Sequence, residues 1–340
     1  MRRILALGIS VILAQPTAAS EALSGALEEA QSSFSLLSSV ARSTYDSKFP
    51  RGDRELDAQV QQVLNSHLSA VERAAKKSNV TYKREKSQIE ILPNQTSELN
   101  CETMKLNQTG LKKVVYEPLF LIQHEIIGAF DSKSNTMHTT LNSVASGKVD
   151  STTHHEAVHA RNWYDKSRTT DDLKLTFQSI DGKDLRQDAM SYSRFISADE
   201  LSAYTEELKF MLKDPTNTSE MNPATGVTAF EDKALIMLDV VKTLEKVSAD
   251  LSKAKLKSIG QKSKDANQTV TYLDNGKVKI DLAAIAKDRR RFAKVGDAEA
   301  AAKSWLSSLN KKASRTRSAL ENASSLEPRQ LVERLEAALK

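Results

Sequence analysis

The residues of this 340-residue chain best suited to chemistry stand together near its middle, as His155-Glu156-Ala157-Val158-His159. On an α-helix, two residues four apart share one face. Two imidazoles so placed can grip one zinc ion, and the glutamate between them can reach a water activated by that ion. A catalytic zinc takes three protein ligands and keeps one position open, so the pentad needs one more donor. The six histidines are His67, His124, His138, His154, His155 and His159, so none lies beyond the motif. The third ligand is therefore acidic, or comes from upstream.

Glu200 is the leading candidate. It lies 41 residues past His159, in Asp199-Glu200-Leu201-Ser202-Ala203-Tyr204, on a segment that reads as helix. Asp199, Glu206 and Glu207 are the local alternatives, and Asp171 and Asp172 the remote ones. His154 points about 100° away from His155 on a helix and reads as a capping or surface residue. His67 falls inside a helical pattern and reads as a core or surface residue. Cys101 is the only cysteine, so no internal disulfide can form, and it reads as a buried, inert thiol.

Such a pentad needs a helix to carry it and a strand beside that helix. Ser151-Thr152-Thr153 supplies N-cap candidates, and a helix is expected to run to about Tyr164 or Lys166. Just upstream, Ile126–Phe130 and Thr136–Leu141 flank the turn-like Asp131-Ser132-Lys133-Ser134-Asn135 and read as a β-hairpin. Its second strand, which carries His138, is expected to be the edge strand that a zinc peptidase offers to extended substrate. His138 then either faces the cleft or serves the structure. Residues 143–148 read as the loop that leads into the motif helix.

The remaining periodicities are mostly helical. Residues 21–45 and 57–77 carry apolar residues at helical spacing, separated by Phe49-Pro50-Arg51-Gly52, and read as an antiparallel pair. Residues 80–82 and 88–92 alternate as strands, and 99–106 reads as another short one. Residues 114–122 contain Pro118 and read as irregular. Leu173–Phe177 alternates ahead of an Asp181-Gly182 turn, and a helix is expected from about Ser197 to Leu212, stopped by Asp214-Pro215. Residues 214–226 read as loop and 229–256 as a long amphipathic helix. Residues 269–273 and 277–282 around Asp274-Asn275-Gly276 read as a hairpin, and 283–340 as helix again.

The expected fold class is α+β, mostly helical, with a small mixed sheet packed on the motif helix. The expected divisions are a signal peptide (1–19), an N-terminal helical region (20–95), a catalytic core (96–214) and a C-terminal helical region (215–340) with its hairpin near 269–282. Met1-Arg2-Arg3, an apolar run from Ile4 to Ala14, and Thr17-Ala18-Ala19 form the signal peptide pattern. The run is too short to span a bilayer, so no stable membrane insertion is expected after cleavage, and the mature chain is expected in a periplasm or secreted. Its loss takes two arginines and lowers the formal net charge from +5 to +3, too little and too evenly spread to argue for nucleic acid. Aromatic content of 5% with 11 Gly and 7 Pro disfavours an all-β sandwich, which needs many turn residues.

With His-Glu-x-x-His, an upstream hairpin and a helical Glu-x-x-Ala-Tyr in hand, residues 124–212 resemble the gluzincin type of zinc metallopeptidase. The resemblance implies a zincin-like core in which His155, His159 and Glu200 hold Zn2+. It implies that Glu156 is the general base that takes a proton from a zinc-activated water and returns it to the leaving amine. Thermolysin-like enzymes place an aspartate four residues after the ligand glutamate. Here that position is Tyr204, whose hydroxyl either orients a ligand or donates to the developing oxyanion. The function expected is an exported zinc metallopeptidase acting on peptide or protein substrates. The competing reading, drawn from the amphipathic helices at both ends, is a helical envelope or interaction protein with a non-catalytic metal site.

Overall fold

The structure is a computed structural model, and it describes residues 18–45, 56–100, 111–131, 134–164, 173–178, 198–253, 255–261, 270–272, 278–280 and 295–340. Two compact units divide the chain, Met1–Lys166 and Ser167–Lys340. The architecture is mostly helical with a small mixed five-stranded sheet, an α+β fold. Among the described residues, no helix is long and apolar enough to cross a membrane. The signal peptide pattern lies almost wholly outside the described residues, as do Pro50-Arg51-Gly52, Cys101, Asp171, Asp172 and the Asp181-Gly182 turn.

In the first unit, α1 (Ala18–Tyr45) and α2 (Ala58–Lys77) form the antiparallel pair. The Tyr45 hydroxyl at the end of α1 accepts from the Asp57 N–H at the start of α2 (2.8 Å). At the other end, Lys77 donates to the Ala22 carbonyl (2.6 Å). Asp57 caps α2 by accepting from the Gln59 N–H (2.8 Å), one of the donors that a helix start leaves without an intrahelical partner. The facing stripes, Ala26, Ala30, Leu37 and Ala41 on one helix and Val60, Leu64, Leu68 and Val71 on the other, are buried, as the 3.6-residue period requires.

The sheet comprises β1 (Tyr82–Arg84), β2 (Ile89–Ile91), β3 (Lys113–Tyr116), β4 (Ala129–Asp131) and β5 (Thr136–His138), in the order β1-β2-β3-β5-β4. Pairing is antiparallel except between β3 and β5, which run parallel. Four expectations change here. The segment read as irregular contains β3, an interior strand with Val114, Val115 and Tyr116 buried; Pro118 does not break it but starts the next helix, Pro118–His124, at a position that needs no N–H. The hairpin forms, but the outer strand is β4, while β5 lies inside the sheet between β3 and β4. Residues 141–146, read as strand end and loop, form a short helix capped by the Thr140 hydroxyl and closed by Gly147 at φ 71. Residues 98–100 are helical, not strand, and 101–106 lie outside the described residues.

In the second unit, Leu173–Gln178 pairs antiparallel with Lys255–Gln261, a strand that the alternation did not disclose. It follows the helix Ala229–Lys253 almost at once. The helix Ala198–Met211 packs with Ala229–Lys253 and with the C-terminal helix Pro328–Leu339 around Leu201, Leu208, Met237, Val241 and Leu335, all fully buried. The helix Val295–Glu321 adds Ala313 and Leu320. Val270–Tyr272 and Val278–Ile280 form the expected hairpin strands. A short helix, Thr216–Ser219, interrupts the loop expected at 214–226.

Candidate metal centre

The motif helix runs Ser151–Tyr164, and it is anchored before it begins. Its cap is Asp150, not the Ser-Thr-Thr that follows: Asp150 Oδ1 accepts from the Thr153 N–H (2.8 Å). The other carboxylate oxygen accepts from the Thr140 hydroxyl (2.5 Å), just past β5. Buried hydroxyls continue the tie. Thr153 Oγ1 lies 3.0 Å from Thr139 Oγ1 and 2.9 Å from Ser143 Oγ, which also accepts from the Asp150 N–H (3.1 Å). Thr139, Ser143 and Thr153 are almost fully buried, so these bonds form where an unmade one is costly. They set the rotation of the motif helix on the sheet.

Four residues apart on that helix, His155 and His159 point the same way. Their Nε2 atoms are 3.0 Å apart and their ring centroids 4.7 Å apart, with planes at 73°. His155 is 7% exposed. Glu200 stands in the first turn of Ala198–Met211, where Leu201 and Leu208 root the helix in its core. One ligand atom from each of His155, His159 and Glu200 lies within 4.8 Å of the others, and among the described residues this is the group that could hold a metal ion. The donor set suits a divalent cation. Two imidazole nitrogens that close repel unless a proton or a cation lies between them. An ion about 2.05 Å from each would subtend an angle of about 94° at that separation, close to what tetrahedral or octahedral sites use.

The alternatives for a third ligand separate clearly. Glu207, buried on the same helix, pairs with Lys233 at 2.9 Å. Glu206 is not part of the group that could hold a metal ion, whereas Glu200 is. Asp171, Asp172 and the side chain of Asp199 lie outside the described residues. Tyr204 follows Glu200 by one helical turn, on the same side of the helix, and its half-buried ring packs on the helical core of the second unit. His154 is half-buried in the first turn of the motif helix, its N–H donating to the Asp150 carbonyl (2.9 Å).

Glu156 is half-buried, and its side chain lies toward the start of β4. A Cβ built on Gly128, the residue before that strand, would fall 3.3 Å from Glu156 Cγ. The outer strand therefore passes beside the motif helix, and the backbone edge expected next to the site belongs to β4 rather than to the strand carrying His138.

His138 serves the structure. Thr139, whose N–H continues the β3 pairing at Val115 O (2.8 Å), points its hydroxyl to Thr153 of the motif helix. Strand alternation then turns His138 to the opposite face. There it stacks on Phe120 at 4.0 Å, with its Nδ1 3.7 Å from the Glu117 carboxylate. Burial lowers its pKa to about 4 and raises that of Glu117. His67 is fully buried and links three elements: its Nδ1 lies 2.8 Å from Ser33 Oγ on α1 and its Nε2 2.9 Å from the Tyr116 hydroxyl on β3. Ser33 already donates to the Ala30 carbonyl, so Nδ1 carries the ring proton and Nε2 accepts from tyrosine. Burial holds His67 neutral, with its pKa lowered to about 4.

Two residues of the site were missed by sequence reasoning. Asp150 was legible as an N-cap residue immediately ahead of the Ser-Thr-Thr run. Gly128 carried no local signal beyond being a glycine at a strand start. No family model matches the chain, and no curated protein or solved structure matches it either.

Proposed function

We propose that this chain is an exported zinc metallopeptidase of the gluzincin type, acting on peptide or protein substrates. The observation that supports the reading is that His155, His159 and Glu200 form a group that could hold a metal ion, with Glu156 next to His155 in the chain. His155 and His159 offer imidazole nitrogens and Glu200 a carboxylate oxygen, the set that suits a catalytic zinc. Zinc bound there supplies a Lewis acid that polarises a carbonyl and acidifies a water.

The other roles belong to this chain's own groups. Glu156 takes the proton of the attacking water on its carboxylate as the water oxygen bonds to the scissile carbonyl carbon. It then passes that proton to the amine nitrogen as the C–N bond breaks. Tyr204, one turn beyond Glu200, donates its hydroxyl to the oxygen on which charge develops. The outward edge of β4 offers backbone N–H and C=O groups to an extended peptide in the manner of an added strand. The buried hydroxyls around Asp150 and Thr153 hold the motif helix still while this happens.

The test is hydrolysis of quenched fluorescent casein by purified protein, with metal content measured in parallel. Wild type is expected to carry one zinc per chain and to cleave. Glu156→Gln, which keeps the shape but cannot accept the proton, is expected to keep its zinc and lose at least about a hundredfold in kcat. Zinc in the wild type with no cleavage of any peptide probe would favour the non-catalytic metal site instead.

A further inference from the structure

We infer that Gly128 is a positioning residue for Glu156: the missing side chain at this position sets where the general base sits. The inference rests on the peptidase reading for its kinetic consequence, but its geometric part stands alone.

The argument begins with why a glycine is there. Among the described residues the glycines at positive φ are Gly147 and Gly226, so the backbone of Gly128 makes no demand that alanine could not meet. Gly25 has open space around its Cβ position, and so does Gly226. Gly128 differs from both. A Cβ there would lie 3.2 Å from the His138 carbonyl oxygen, 3.2 Å from Thr152 Cγ2 and 3.3 Å from Glu156 Cγ. Glycine is needed for space, at the point where the outer strand meets the motif helix.

The three neighbours do not yield equally. The His138 carbonyl is backbone of β5, paired on both sides within the sheet. Thr152 is β-branched on a helix, where its χ1 is stiff. Glu156 Cγ is a methylene of an unbranched chain with three torsions, so it is the atom that gives. In the wild type the bare Cα of Gly128 lets this methylene lie close to the strand. Adding one methyl pushes Cγ outward, and the carboxylate at the end of the lever moves further than Cγ does.

The three atoms nearest a Cβ at Gly128 belong to His138, Thr152 and Glu156, and none of them to the rings of His155 or His159. Metal binding and proton transfer are therefore separable at this position. Gly128→Ala is expected to retain zinc at wild-type stoichiometry and a KM on quenched casein within about twofold, while kcat falls by about ten- to a hundredfold. A purely structural role would instead lower zinc content, thermal midpoint and kcat together. Crystal structures of the zinc-loaded wild type and Gly128→Ala give the second readout, with the Glu156 carboxylate displaced and the His155 and His159 rings superposed. That readout holds whether or not the protein cleaves casein, so an inactive wild type would sink the peptidase reading without deciding the role of Gly128.

If Gly128→Ala does not fold, Gly128→Ala/Thr152→Ala is compared with Thr152→Ala. Removing the threonine methyl accommodates part of the added one, while the Glu156 contact remains. The double variant is expected to show kcat at least about fivefold below Thr152→Ala. A Glu156 carboxylate unmoved in the alanine variant, or kcat equal to that of the matched parent, overturns the inference.

Discussion

Replacing Glu200 with alanine tests the metal centre most directly, because the geometry states what that carboxylate must do. The Nε2 atoms of His155 and His159 are 3.0 Å apart, so an ion about 2.05 Å from both sits about 1.4 Å off the line joining them. A carboxylate oxygen bound to the same ion at about 2.1 Å cannot lie more than about 4.15 Å from either nitrogen. The ligand atoms of the three residues lie within 4.8 Å of one another, a separation that rotation of a half-buried side chain can shorten. Losing even an outer-shell partner of a metal ligand costs about 10- to 100-fold in affinity, so losing a charged ligand should cost at least about 100-fold, or about 2.7 kcal/mol. Competition for zinc against a chromophoric chelator measures this. The same titration on Glu206→Ala, changed on the same helix, is expected to match wild type. If Glu200→Ala binds zinc within about threefold of wild type while His155→Ala loses it, Glu200 is not the third ligand and the argument from convergence fails.

Other perturbations read the framework that carries the site. Gly147 sits at φ 71, and a Cβ there would come within 2.8 Å of the Ser78 carbonyl oxygen. Gly147→Ala should therefore destabilise by about 1–3 kcal/mol in chemical denaturation, and an unchanged midpoint would contradict the clash. His67, with its pKa lowered to about 4 from 6.5, is neutral when folded in a pH range where the unfolded chain binds a proton. Stability from this group is complete above about pH 6.5 and is lost as pH falls toward about 4, at about 1.4 kcal/mol per pH unit. His138 adds the same dependence. His67→Gln should flatten the slope of stability between pH 6.5 and 4.5 by about one proton; an unaltered slope in urea titrations would refute it.

What was legible in the sequence was whatever one element decides by itself. The pair His155 and His159 meets because four residues make about one helical turn, and no distant contact is needed to bring the rings together. The antiparallel helices α1 and α2, the helix ending at Asp214-Pro215, and the hairpin around Asp274-Asn275-Gly276 follow equally from local periods and stop signals. Elements whose identity depends on a distant partner were misread. Residues 113–116 are a strand because β2 and β5 flank them, and Pro118 two residues later obscured this. Lys255–Gln261 is a strand because Leu173–Gln178, some 80 residues earlier, pairs with it.

By itself, then, the sequence marked His155 and His159 as a pair that could hold a metal and gave the helical character of the chain, since both rest on contacts within a few residues. It narrowed the third ligand to a handful of acids. Only the tertiary structure grouped Glu200 with His155 and His159 as residues that could hold a metal ion, because spacing along the chain says nothing about which carboxylate joins such a group. Tertiary structure also turned His138 away, since β5 lies inside the sheet and alternation is counted from the Thr139–Thr153 contact. It gave Gly128 its meaning in the same way: a missing methyl matters only where another element, here the motif helix with Glu156, comes close enough to fill the space.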